Sequence, residues 1–156
     1  MWWLVFPGAA ILFLLVILIR SSRERKMLSE TCYTVYIKDL PEAFYDTELA
    51  FLSDLHGEDF GENGSALAEM LLRDPPALVL AGGDMLTVKK GIPFDTHSLE
   101  SILQALSDRI PVYYALGNHE SRMREYPEDF PGWYGRFLSL TEKYGVILLD
   151  NASWKS

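Results

Sequence analysis

Three short stretches concentrate the side chains able to do chemistry. "ELAFLSDLHG" carries Asp54 and His56, "ALVLAGGD" carries Asp84, and "PVYYALGNHE" carries Asn118, His119 and Glu120. Together they offer carboxylate oxygen, imidazole nitrogen and amide oxygen. That mixed, moderately hard donor set suits manganese, iron or zinc better than copper or a thiolate-bound metal. Asp54 and His56 are two apart, so on extended backbone both point to one side. Asp84 is a carboxylate able to bridge two cations. Two cations about 3.5–4 Å apart lower the pKa of a shared water and clamp the oxygens of an in-line displacement at phosphorus. Asn118 adds a neutral oxygen, which leaves net positive charge for an anionic substrate. A turn after Asn118 would aim His119 at that substrate, to protonate a leaving oxygen or stabilise charge. Glu120 is expected to orient the His119 imidazole and raise its pKa. Glycines adjoin every stretch, allowing sharp turns and close approach of backbone to a ligand.

The elements that must position these residues follow from the apolar pattern. "CYTVYIKD", "ELAFLSD", "ALVLAGGD", "IPVYYALGN" and "VILLDN" read as strands, most of them apolar throughout, as strands buried on both faces are. Leu67, Met70 and Leu71 share a helical face over Ser65–Arg73, with Ser65 as its N-cap. Leu99, Ile102, Leu103 and Leu106 keep the i, i+3, i+4, i+7 spacing of a second helix. His97 lies beside that run and reads as a surface or capping residue. Trp133–Tyr144 reads as a third helix, with Gly145 just past its end. Strands alternating with helices imply an α/β fold with a parallel sheet. In such sheets ligands bind beyond the carboxyl ends of the strands, where the three stretches lie.

Composition narrows the classes. The chain has 156 residues and a formal charge of −8, which bounds it to one soluble domain at most. Met1–Ile19, "MWWLVFPGAAILFLLVILI", has no charged side chain and reads as a single transmembrane helix, with Trp2 and Trp3 at the membrane interface. Residues 20–30 read as a charged linker and 31–156 as the folded domain. Basic residues directly follow the apolar run, so the positive-inside rule places the soluble domain in the cytoplasm, tethered to the cell membrane by a single pass. Setting aside Arg20, Arg23, Glu24, Arg25 and Lys26 leaves 10 basic against 21 acidic side chains, a charge near −11. So acidic a surface argues against nucleic acid as a partner. Cys32 is the only cysteine, which excludes an internal disulfide or cysteine-zinc site.

"SDLHG", "GGDM" and "GNHE", in that order, resemble the calcineurin-like metallophosphoesterases. "LPEAFYDTELAFLSDLHGEDFG" is similar to the branch whose members carry an N-terminal membrane anchor or export signal. The resemblance runs from about Tyr33 onward. It implies a four-layer α/β/β/α sandwich with two divalent metal ions, hydrolysing a phosphate ester or anhydride by a metal-activated hydroxide. By motif match, Asp54 and His56 would bind the first metal, Asp84 would bridge, Asn118 would bind the second, and His119 would be the catalytic histidine. With the anchor, a phosphorylated, lipid-linked substrate at the bilayer is expected. The family continues with a lone histidine and a Gly-His-x-His element, whereas no histidine follows His119 here. The chain is therefore expected to be the N-terminal half of the sandwich, with an apolar sheet face left bare, weak metal binding and little or no turnover alone. The competing expectation is a non-catalytic, membrane-tethered binding protein that keeps the first half of the fold.

Overall fold

A computed structural model describes residues 5–24 and 27–150. The chain divides into two compact units, Met1–Cys32 and Tyr33–Ser156.

Among the described residues the first unit holds one helix, α1 (Val5–Glu24). It extends through Arg20–Glu24, where the sequence suggests linker, and an Arg20–Glu24 ion pair of 2.7 Å spans its last turn. Its successive apolar side chains from Ile11 to Ile19 are all exposed. Among the described residues no helix is long and apolar enough to cross a membrane. At about 1.5 Å per residue, the apolar stretch Val5–Ile19 reaches roughly 22 Å, short of the roughly 30 Å hydrocarbon core. The rest of the expected span, with Trp2 and Trp3, lies outside the described residues.

The second unit is built on four strands: β1 (Leu49–Leu52), β2 (Leu78–Ala81), β3 (Val112–Ala115) and β4 (Ile147–Leu149). They lie in the order β1-β2-β3-β4, every neighbouring pair parallel. The helices are α2 (Ser65–Arg73), α3 (His97–Leu106), α4 (Asn118–Glu125) and α5 (Trp133–Lys143). Leu67, Leu71, Leu99, Ile102, Leu103 and Leu106 are all buried, as their helical spacing demands.

The two faces of the sheet differ. Val79, Ala81, Val112 and Tyr114 are buried with the helical side chains in the core. The opposite face carries Leu49, Phe51, Leu78, Leu80 and Tyr113, aligned by the register Leu49↔Leu78, Phe51↔Leu80 and Leu80↔Tyr113. None of these five is buried, and Phe51 is 69% exposed. Leu49 and Phe51 on this face are exposed, while Leu78, Leu80 and Tyr113 are half-buried.

Three local expectations need correction. "CYTVYIKD" forms no strand: residues 31–37 carry no regular structure, and Tyr36 is 93% exposed. Alternating side chains do not make a strand where no neighbour offers a ladder. Ser65 is the first residue of α2 rather than its cap, and left-handed Gly64 takes that place. The stretch after β3, which reads as a strand end, turns at once into α4. His97 opens α3 from an exposed position, its backbone N–H held by Asp95 Oδ1 at 2.9 Å.

Candidate metal-dependent active site

The loops leaving the carboxyl ends of β1 and β2 meet because their backbones bond to one another, and the loop after β3 joins them through the side chains of Glu120 and Asp84. Asp54 N–H donates to Gly83 O at 3.1 Å, and His56 N–H donates to Asp84 O at 2.9 Å. Asp54, His56 and Asp84 all adopt left-handed backbone, with φ of 58°, 50° and 54°. The expectation of extended backbone at Asp54 and His56 is thus corrected. Strand β1 ends at Leu52, and the two side chains are brought together by a curled loop instead. Between β2 and β3 the approach is closer still. A Cβ on Gly83, where φ is 94°, would collide with the backbone of Gly117; one on Gly117 would strike the Asp84 amide and carboxylate. Glycine at both positions is the condition for bringing these tips together.

The candidate donors form a chain of near neighbours. Asp54 Oδ1 lies 3.8 Å from His56 Nε2. The His56 ring stands edge-on to the His119 ring, centroids 4.9 Å apart. Asp84 Oδ1 accepts the backbone N–H of His119 at 2.7 Å, so this carboxylate also tethers the first turn of α4. Asn118 lies against the same carboxylate. As placed, its amide oxygen faces only acceptors; turned over, its amide nitrogen would donate to both Asp84 oxygens, 3.0 Å from Oδ1. The turned amide is the orientation that gives this pair its hydrogen bonds.

The candidate donors fall into two pairs, Asp54 with His56 and Asp84 with Asn118. Among the described residues no three His, Cys, Asp or Glu side chains gather closely enough to hold an ion.

His119 is fixed by a contact that the sequence does not reveal. Its Nδ1 accepts the Val88 N–H at 2.7 Å, and Arg122 Nη1 donates to the carbonyl of the same Val88 at 2.9 Å. An accepting Nδ1 puts the proton of the neutral ring on Nε2. Thr87 Oγ1 donates to His56 O at 2.6 Å and ties the β2 loop to the β1 loop.

Glu120 does not orient His119. Its carboxylate is 0% exposed and accepts from five donors. Oε2 takes the backbone N–H of Asp84 at 2.9 Å and of Gly117 at 3.0 Å. Oε1 takes the N–H of Met85 at 3.1 Å, the N–H of Leu86 at 3.3 Å and the Tyr114 hydroxyl at 2.8 Å. A buried carboxylate with this many partners cannot meet a substrate, so a catalytic role in contact with one is excluded. Burial, reinforced by the Glu120 charge, pushes the Tyr114 phenol well above its usual value.

A sequence model described as calcineurin-like phosphoesterase matches residues 47–154. The chain is also 29% identical, over 147 residues, to "Uncharacterized metallophosphoesterase YkoQ" of Bacillus subtilis (strain 168). That alignment covers 94% of this chain and 52% of the relative, so the chain spans about half the length of the curated protein it matches.

Proposed function

The chain belongs to the calcineurin-like phosphoesterase family, and from that premise we propose that it supplies the first half of a membrane-anchored, metal-dependent phosphoester hydrolase. The observation that carries this reading is the convergence of Asp54, His56, Asp84, Asn118 and His119 at the tips of three adjacent strands. Asp54 and His56 would hold one divalent ion, Asp84 would bridge, and Asn118 would hold a second. Manganese, iron and zinc all suit these donors. Such ions lower the pKa of a water and neutralise charge on a phosphoryl group. The neutral His119 ring carries its proton on Nε2, because Nδ1 accepts from Val88; from there it would donate a hydrogen bond to the leaving oxygen and stabilise its charge. Arg122 keeps the Val88 peptide in place, and so keeps the imidazole in place.

The rest of the architecture follows from the same reading. Residues 31–156 form the N-terminal part of a four-layer α/β/β/α sandwich, whose second sheet would cover the bare face of Leu49 and Phe51. Helix α1 and the residues before it attach the protein to the membrane with the folded domain in the cytoplasm, and the substrate is a lipid-linked phosphate. Exposed apolar side chains along α1 support the attachment.

The test is hydrolysis of a generic aryl phosphodiester with added manganese. It compares this chain, a version extended to the length of the Bacillus relative, and Asp84→Asn in the extended version. The expected result is little turnover by the 156-residue chain, clear turnover by the long form, and loss in the variant. Undiminished activity of Asp84→Asn would remove the bridging role. An inactive long form would favour the second reading, a non-catalytic membrane-tethered binding protein.

A further inference from the structure

We propose that Glu120 is a positioning residue that sets the backbone of the Asp84 loop, and through it the aim of the Asp84 carboxylate. The inference rests on the reading of Asp84 as a metal ligand.

Three successive backbone N–H groups, those of Asp84, Met85 and Leu86, converge on one carboxylate. Successive amides of extended backbone point to opposite sides, so a single acceptor gathers three of them only where the chain curls. The curl is the left-handed turn at Asp84, φ 54°. A residue with a Cβ adopts that conformation at a cost, and persists in it where its surroundings impose it. Glu120 is the group that imposes it.

The two oxygens divide the task. Oε2 joins Asp84 N–H to Gly117 N–H, and so clips the loop after β2 to the loop after β3. Oε1 gathers Met85, Leu86 and the Tyr114 hydroxyl, which anchors the carboxylate to the buried face of β3. The same helical turn that provides Glu120 also holds the Asp84 side chain, through His119 N–H on Oδ1. One turn of α4 thus fixes Asp84 at both its main chain and its side chain. Among the described residues no buried side-chain polar atom lacks a partner, so the network is closed.

The experiment uses the full chain without metal. Amide hydrogen exchange is followed residue by residue by NMR in the wild type, Glu120→Gln and Tyr114→Phe. Manganese binding is then measured on each by calorimetry. The glutamine places an N–H₂ group against N–H donors. Exchange at Asp84, Met85, Leu86 and Gly117 should rise by about tenfold or more, with Ile102 and Leu103 in α3 unchanged. Tyr114→Phe removes one donor from Oε1 alone. It should accelerate Met85 and Leu86 a few-fold and leave Asp84 and Gly117 as they were. Manganese affinity should fall about tenfold in Glu120→Gln, as for other groups that orient a ligand. Acceleration spread evenly into α3, or none at residues 84–86, would overturn the proposal. So would unchanged manganese affinity in a Glu120→Gln protein beside a wild type that binds. If Glu120→Gln does not fold, the Tyr114→Phe pattern decides alone: selective acceleration on the Oε1 side supports the assignment, and uniform or absent acceleration refutes it. A wild type that binds no manganese would sink the metal reading of Asp84, while the exchange pattern would still decide what holds the loop.

Discussion

The two halves of the strand-tip cluster are built to different standards. Around Asp84, a buried carboxylate, a buried phenol and four backbone amides interlock. Around Asp54 and His56, both side chains are exposed. Their partners there are a 2.6 Å bond from Ser53 Oγ to Asp54 Oδ2 and a 3.8 Å approach between the two. The polar chemistry is alike in both halves; the solvent is not. Inside the core an unmade hydrogen bond carries its full desolvation cost, whereas at the surface water replaces it. The Asp84 half is therefore part of what folds the domain. The Asp54 half leaves both of its side chains to solvent.

That contrast predicts its largest effect on stability. Glu120→Ala strands five donors, four of them backbone, and should cost roughly 3 kcal/mol or more in urea unfolding. Asp54→Ala should change stability by no more than about 0.5 kcal/mol, as surface substitutions do. Equal costs for the two would erase the distinction between the halves.

Asp84→Asn separates holding the fold from holding a metal. An asparagine oxygen can still accept from His119 N–H, so stability should move by only about 1 kcal/mol. The lost charge should weaken manganese binding by about tenfold to a hundredfold, read by calorimetry. A variant that keeps wild-type affinity would take Asp84 out of the ligand set.

A pH titration of stability sharpens the same comparison. The Tyr114 phenol is raised in the folded state, chiefly by burial and then by the charge of Glu120. Its unfolded value is near 10. Below that pH both states hold the proton, and the contribution to stability is fully present. Above it the unfolded chain loses the proton first, so stability falls as pH rises toward the folded value. Removing the group removes this alkaline slope, by up to about 1.4 kcal/mol per pH unit. Tyr114→Phe should be less stable than wild type at neutral pH, and the gap should narrow above pH 10. A constant gap across that range would show that the phenol does not titrate as a buried group.

The sequence reveals these regions unequally. Strands β1 to β4 are legible because each is a short apolar run, although only alternate residues of β2 and β3 are buried, and α3 is legible because four leucine and isoleucine positions repeat at helical spacing. Helix α4, "NHESRMRE", escapes the same test: its buried positions are Met123 and Glu120, and a buried glutamate looks like a surface residue in any hydrophobic pattern. The apolar run before them puts Asn118, His119 and Glu120 at a strand tip, yet the helix they begin turns Glu120 from the histidine to the neighbouring loop. Tyr114 gave no warning beyond lying on the buried face of a strand six residues before a glutamate. "CYTVYIKD" erred in the other direction. Its alternation is genuine, but a strand needs a neighbour, and the sequence does not say where one is.

The smallest effect belongs to the exposed half, where the comparison can be pressed hardest. Ser53 Oγ donates to Asp54 Oδ2 at 2.6 Å, and its other contact, with Gly83 O, is long at 3.5 Å. Ser53→Ala should cost at most about 0.5 kcal/mol, since water can take over at the carboxylate. Were Asp54 merely a solvated surface acid, manganese affinity would not notice the change. As a ligand it would lose the bond that fixes one of its oxygens, and affinity should fall a few-fold with stability nearly constant. Calorimetry and urea unfolding on the one variant separate these outcomes. Unchanged affinity would leave the Asp84 half as the sole metal-binding half of the cluster.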